Sequence, residues 1–194
     1  MKNDTSFARL VSLACHDVRT PLATVHGFAK TLTRTVELQS PADRYVEMIE
    51  AASSQMAELL DELSLAARIE GGRYEPGLRE VDTLALAQAA AERLGADRVR
   101  VSGDGATITT DVEGIDRGVS ALVQAALRHG GLEEVDVVVR GAVIEVSPIT
   151  DSSGPVVLGQ ELRDLGAAVG VRLVEFLGGT VEVTDGTLTI ALAG

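Results

Sequence analysis

Apolar side chains recur at alternating steps of three and four residues through the first third of the chain. A helix places residues with this spacing on one face, so the pattern predicts two amphipathic helices. The first runs from about residue 4 or 5 to Glu37, and its stripe comprises Val11, Ala14, Val18, Leu22, Val25, Ala29, Leu32 and Val36. The second helix, whose spacing is typical of a bundle seam, has a stripe of Tyr45, Ile49, Ala52, Met56, Leu59, Leu63 and Ala66.

The ends of these two helices carry residues that cap or interrupt helices. Ser40 is a favourable N-cap, Pro41 suits the first helical position, and Asp43 complements a helix N-terminus. Gly71-Gly72 is typical of a helix end. Two antiparallel helices with one stripe each cannot cover their own apolar faces, whereas two such hairpins can pair into a four-helix bundle. The sequence therefore predicts a homodimer.

Beyond a short linker at residues 71–77, the pattern alternates between helix and strand. Helices are predicted at Thr83–Leu94, Val112–His129 and Gln160–Leu177. The predicted strands are Leu78–Val81, Arg98–Ser102, Thr107–Thr110, Glu134–Arg140, Ala142–Ser147, Thr180–Thr184 and Thr187–Leu192.

Three glycine-containing turns organise these strands. Gly103-Asp104-Gly105 separates the second strand from the third, Gly141 joins the fourth to the fifth, and Asp185-Gly186 is typical of a type I′ hairpin. The sequence as a whole predicts an α+β fold with a helical domain at 1–72 and a mixed domain at 73–194.

Composition narrows the classes of function. The chain of 194 residues has a net charge of -12, which argues against nucleic acid or an anionic membrane as the main partner. Its single cysteine, Cys15, suits packing and a reducing cytoplasm better than a disulfide. No apolar stretch approaches membrane-spanning length and the N-terminus is not a signal peptide, so we expect a cytoplasmic protein without membrane contact.

His16 is the candidate reactive residue of the first helix. At about 100° per residue it projects roughly opposite the Ala14–Val18 stripe, where an imidazole is solvated and accessible. The same outer face carries Arg19, Thr20, Ala23 and Gly27. A neutral imidazole is a good phosphoryl acceptor near neutral pH. His26 and His129 are assigned no role, and His129 is interpreted as a cation at a helix end.

The segment around His16 resembles the H-box of bacterial sensor histidine kinases of the HisKA type. The matching residues are His16, Asp17, Arg19, Thr20, Pro21 and Leu22. The resemblance implies phosphorylation of His16, orientation of its ring by Asp17, and receiver docking around Arg19, Ala23 and Gly27. It implies that Thr20 can orient a hydrolytic water. The alternatives are a solvated carboxylate for Asp17 and a hydroxyl bonded to its own helix for Thr20.

The second domain resembles the ATP-binding domain of the same kinases, a mixed sheet backed by three helices in two layers. Leu122–His129 is similar to the N-box helix and Leu165–Thr180 to the glycine-box helix with its following strand. The magnesium-binding Asn of the N-box is replaced by Ala125, and no Asp-x-Gly-x-Gly follows the strand that ends at Ser147. We therefore expect no bound nucleotide, cofactor or metal, with Mg²⁺ supplied by the partner receiver.

The favoured function is histidine phosphotransfer in a two-component phosphorelay, in which His16 passes a phosphoryl group between receiver-domain aspartates. Shortened sensor kinases with decayed nucleotide domains form the class that this sequence resembles, and we expect the chain to lack a sensor of its own. A non-catalytic adaptor that binds a response regulator and an active ATP-dependent histidine kinase are the alternatives.

Overall fold

The computed structural model describes residues 5–35 and 37–193. Two compact units divide the chain between Tyr74 and Glu75. A helix start at residue 4 and the stripe position Val36, both part of the sequence prediction, lie outside the described residues.

The first unit is an antiparallel helical hairpin of α1 (Thr5–Thr35) and α2 (Ala42–Glu70). The prediction of Ser40 as N-cap is wrong, because Pro41 occupies that position and makes no side-chain capping bond. The predicted helix end is confirmed, since the Gly71 amide donates to the Ala67 carbonyl oxygen at 3.0 Å. Both helices form where the apolar periodicity places them.

The face of α1 that packs on α2 is built from three small side chains and one leucine, which repeat every seven residues. Its buried members are Ala8, Cys15, Leu22 and Ala29. In the single chain, Val18 and Val25 of the predicted stripe are not buried against α2, and their exposed fractions are 51% and 48%. The reason is that the helix has two apolar faces, and the bulkier one points away from α2.

Polar residues interleave with this small-residue seam and bind partners on or just after α2. We call the four contacts the polar ladder: Ser12 with Arg73 at 2.9 Å, Arg19 with Asp61 at 2.7 Å, His26 with Ser53 at 3.1 Å, and Thr33 with Glu50 at 3.4 Å. The α1 members are also seven residues apart. The two helices of the hairpin are therefore joined by both apolar and polar contacts.

The bulky apolar residues of the hairpin form an outer seam. Its members are Val18, Val25 and Leu32 of α1 and Tyr45, Ile49, Met56, Leu59 and Leu63 of α2, with exposed fractions from 40% to 61%. Several large apolar side chains exposed on one hairpin are typical of an interaction face. The homodimer that would cover it stays a prediction.

The second unit alternates strands and helices. Its strands are β1 (Leu78–Asp82), β2 (Val99–Gly105), β3 (Thr107–Asp111), β4 (Val135–Gly141), β5 (Val143–Ser147), β6 (Thr180–Thr184) and β7 (Thr187–Ala191). Its helices are α3 (Thr83–Leu94), α4 (Val112–Gly130), α5 (Gly154–Val157) and α6 (Leu165–Phe176).

A five-stranded sheet in the order β2-β4-β5-β7-β6 forms one layer of this unit. Only β2 and β4 pair in parallel within that sheet, while β1 and β3 form a separate two-stranded sheet. The core lies between the larger sheet and the helices, where Val137, Ile144 and Leu188 meet Leu122 and Val174. The predicted α+β class with a two-layer mixed domain is confirmed.

Two local predictions in this unit are wrong. Gly103 does not form a turn between hairpin strands, because β2 continues to Gly105 and pairs with β4. A Cβ at Gly103 would lie 2.0 Å from the Val139 carbonyl oxygen, so this glycine permits a close approach of two strands. The predicted helix at Gln160–Leu177 starts only at Leu165, where the Asp164 carboxylate accepts from the Ala167 amide at 3.0 Å.

Helices α4 and α6 cross at a pair of glycines. A Cβ on Gly170 would lie 3.0 Å from the Gly118 carbonyl oxygen, and one on Gly118 would lie 3.4 Å from the Gly170 carbonyl oxygen. The two backbones are therefore too close for a branched side chain.

We expect Gly170→Val to lower the free energy of unfolding by about 1–3 kcal/mol, because the added methyl groups separate the two helices. Urea unfolding followed by circular dichroism measures the change. Gly27→Val is the matched control, since a Cβ there meets no heavy atom within 4 Å. Equal losses in both variants would contradict the role of the crossing.

Candidate functional site

His16 lies in the middle of α1 with its side chain 76% exposed, as the helical phase predicts. Its Nδ1 atom lies 3.2 Å from Oδ1 of Asp17, which is itself 67% exposed. An ionised carboxylate only accepts hydrogen bonds, so the Asp17 contact favours the tautomer with hydrogen on Nδ1. That tautomer leaves a lone pair on Nε2, which makes this nitrogen the nucleophilic atom of the ring.

Two predicted residues follow His16 on the same helix. Helix α1 runs through Pro21 without a break, although proline cannot donate to the Asp17 carbonyl oxygen. Thr20 is exposed one turn beyond His16, and its carbonyl oxygen accepts from Thr24 Oγ1 at 3.2 Å. The Thr20 side chain is therefore on the surface that a partner approaching His16 would meet.

Arg19 turns toward α2 and not directly outward. Its guanidinium donates to Asp61 at 2.7 Å, and the two side chains are 43% and 55% exposed. The sequence predicted a docking role for Arg19 but did not identify Asp61. No motif distinguishes this carboxylate, since its importance comes only from the pairing of the helices.

Two of the predicted docking residues share a cavity between α1 and α2. This cavity of about 290 Å³ is lined by Arg19, Leu22, Ala23, His26, Ser53, Ser54, Ala57 and Glu58. Gly27 does not line it and lies on open surface, where a Cβ would meet no atom within 4 Å. The arrangement is a mostly apolar groove whose lining includes the charged residues Arg19 and Glu58, and Arg19 lies one helical turn from His16.

His26 is a site residue that the sequence analysis left without a role. Its Nδ1 atom lies 3.1 Å from Ser53 Oγ, and Ser53 donates to the Glu50 carbonyl oxygen at 2.9 Å. The seven-residue spacing of Ser12, Arg19, His26 and Thr33 was a signal for this inward position. His26 thus contributes to the helix contact at the floor of the groove.

In the second unit, charged residues from α4 meet the start of α6. Asp164 caps α6 and lies 3.3 Å from Arg128 and 3.0 Å from His129 Nε2. Its side chain is only 10% exposed. His129 lies in the last turn of α4, and its ring contacts Asp164, the N-cap residue of α6.

The segment between β5 and α5 binds itself and α4. Thr150 Oγ1 lies 3.0 Å from Ser152 Oγ and 3.1 Å from Ser153 Oγ, while Ser152 donates to the His129 carbonyl oxygen at 2.9 Å. Ala125 of α4 is fully buried, and its side chain carries no atom that can ligate a metal. The hydroxyl groups in this part of the unit are therefore engaged in internal hydrogen bonds.

A known family model matches most of the hairpin. Residues 8–72 match the family described as His Kinase A (phospho-acceptor) domain. No curated protein matches the chain. Within the described residues, the structure has no helix of the length and apolar character needed to cross a bilayer.

Solved structures identify the fold of the whole chain. The crystal structure of full-length ShkA in complex with AMPPNP aligns over 96% of this chain with a TM-score of 0.71 and 19% identity. This chain spans 46% of that protein's length. The Acinetobacter baumannii histidine kinase AdeS aligns over 92% of this chain and 97% of its own, with a TM-score of 0.57 and 18% identity. At these identities the likeness concerns the fold alone.

Proposed function

We propose that this HisKA-type, histidine kinase-like protein is a histidine phosphotransferase of a two-component phosphorelay. A receiver domain carrying a phospho-aspartate would transfer its phosphoryl group to His16, and His16 would pass it to the aspartate of another receiver. The observation that carries the proposal is the exposed His16 ring, with Asp17 on Nδ1 and Nε2 left as the nucleophile.

The proposed transfer breaks the acyl O–P bond of the phospho-aspartate and forms an N–P bond at His16 Nε2. The bonding electrons of the broken bond remain on the receiver's carboxylate, which leaves as an anion. The ring keeps its Nδ1 hydrogen and becomes an imidazolium, which the Asp17 carboxylate 3.2 Å away stabilises. The reverse sequence of bond changes delivers the phosphoryl group to the next receiver.

The groove beside His16 supports docking of a receiver surface. Arg19 and Ala23 line it, and Gly27 follows on open surface one turn beyond Ala23. We propose that the receiver supplies Mg²⁺ and that Thr20 contacts the approaching acyl phosphate or its water. In our proposal two copies pair through the outer seam in the cytoplasm, so each dimer presents two such grooves.

We propose further that the second unit does not bind ATP. A phosphate group at a helix N-terminus needs free backbone donors, but the Asp164 carboxylate already accepts from the α6 backbone and pairs with Arg128 and His129. The fully buried Ala125 also lacks the oxygen that the resemblance requires for magnesium. Both features oppose an ATP-dependent kinase.

We expect no measurable heat in a calorimetric titration of the protein with magnesium-ATP. The Asp164 carboxylate occupies the N-terminus of α6, and Ala125 has no side-chain oxygen to ligate magnesium. Both features remove contacts that would attract a triphosphate. Magnesium-ATP titrated into buffer alone supplies the reference heat. A dissociation constant in the micromolar range would contradict the proposal that the second unit does not bind ATP.

A radiolabelled transfer assay separates the three candidate functions. Purified protein is mixed either with a phosphorylated receiver or with labelled ATP and Mg²⁺. A phosphotransferase becomes labelled only by the receiver, a kinase becomes labelled by ATP, and an adaptor binds the receiver without becoming labelled. Labelling by ATP would favour a kinase, and binding without labelling would favour an adaptor. Either result would contradict the proposed phosphotransferase function.

A further inference from the structure

The Arg19 guanidinium is near His16 in the helix but is held by α2. Residues three apart on a helix are neighbours, with about 5–6 Å between their Cβ atoms. In the unmodified protein Arg19 donates to Asp61 at 2.7 Å. Because Arg19 is 43% and Asp61 55% exposed, solvent weakens this pair and its exchange for another anion costs little.

Phosphorylation would create such an anion one turn away. A phosphoryl group at neutral pH carries up to two negative charges and three acceptor oxygens. A guanidinium binds these oxygens with parallel hydrogen bonds, which a single carboxylate oxygen matches only in part. Phospho-His16 and Asp61 would therefore compete for the same cation.

We propose that Asp61 holds Arg19 while His16 is unmodified, and that Arg19 exchanges Asp61 for the phosphoryl group once His16 is phosphorylated. Asp61 is then a positioning residue that limits how strongly Arg19 retains the phosphoryl group, which keeps onward transfer possible. This inference rests on the proposed function only in taking His16 as a phosphoacceptor.

The pKa of the phosphoryl group reports the exchange, because a bound cation favours the dianion and lowers that pKa. The protein is loaded with potassium phosphoramidate, a small-molecule donor that needs no receiver, and titrated by phosphorus NMR. The signal missing from His16→Ala is assigned to phospho-His16. Arg19→Gln should raise the phosphoryl pKa and Asp61→Asn should lower it, each by about 0.3–0.7 unit for an exposed pair.

A double variant tests whether Asp61 acts through Arg19. In the Arg19→Gln background, Asp61→Asn should have less than half of its effect in the wild type, because no guanidinium remains to be released. Glu113→Gln removes the same kind of charge from the exposed Arg79–Glu113 pair of the second unit and should leave the phosphoryl pKa unchanged. Additive effects of Arg19→Gln and Asp61→Asn, or an unchanged pKa in Arg19→Gln, overturn the exchange.

The choice of donor separates this inference from the proposed function. If phosphoramidate loads His16 but phosphorylated receivers do not, the phosphotransferase proposal fails while the variants still decide the role of Asp61. If neither donor loads His16, both the proposed function and the exchange are overturned. Circular dichroism of each variant verifies that the hairpin remains helical.

Discussion

His16→Ala is expected to abolish phosphoryl transfer while leaving the fold and the oligomeric state unchanged. The side chain is 76% exposed, so its removal opens no cavity and changes stability by less than about 0.5 kcal/mol. Neither Cys15, which is buried, nor Thr20 can take its place, since the accepting atom must lie in line with the acyl phosphate. Acid-labile, alkali-stable label from a phosphorylated receiver measures the loss.

Asp17→Asn is expected to have a smaller effect than His16→Ala. It keeps the side-chain shape but removes the charge that stabilises the imidazolium, so transfer should slow while receiver binding persists. Lys30→Ala provides a control for general disturbance of α1, because Lys30 is exposed on the same helix and does not line the groove. Equal labelling of wild type and His16→Ala would show that another residue accepts the phosphoryl group.

Leu63→Asp is expected to convert the proposed dimer into monomers at micromolar concentration. Leu63 is 40% exposed in the single chain and belongs to the outer seam, which the proposed partner copy covers. An unpaired carboxylate buried in that interface would cost several kcal/mol of association free energy. Sedimentation velocity measures the change.

Leu162→Asp is the matched control for Leu63→Asp, because Leu162 is 75% exposed, belongs to the second unit and is not a member of the outer seam. It should leave the sedimentation coefficient unchanged. A wild-type protein that sediments as a folded monomer at the same concentration would contradict the predicted homodimer.

The sequence predicts correctly that the two helices of the hairpin exist. It predicts less well which face of α1 packs against α2. Periodicity identifies α1 and α2, but it favours the bulky stripe containing Val18 and Val25 over the seam containing Ala8 and Cys15. Alanine and cysteine give a weak hydrophobic signal, although their small size is what allows close helix packing. The bulky stripe belongs to the outer seam, which a single chain does not bury.

Local chemistry explains the success and failure in the second unit. Asp185 and Gly186 both adopt positive φ, as the predicted type I′ turn requires. Gly103 also has positive φ, but its role depends on the Val139 carbonyl oxygen of a strand distant in the chain. Sequence can indicate that a glycine is needed without indicating whether a turn or a neighbouring strand needs it.

The candidate site shows the same division between motif and packing. A contiguous motif contains His16, Asp17 and Thr20, and the helical phase alone predicts the exposure of the ring. Asp61 and His26 belong to the site only because α2 lies antiparallel to α1 at one particular offset. These contacts could therefore be identified only from the structure.

The polar ladder has a consequence for that offset. Each of its rungs joins a different pair of chemical groups, and only the Arg19–Asp61 rung unites two full opposite charges. Sliding one helix along the other by seven residues would separate this ion pair. Polar residues in a helical seam specify alignment in this way at some cost in stability. The polar ladder thus fixes the axial position of His16 relative to α2, and with it the surface that a docking protein must recognise.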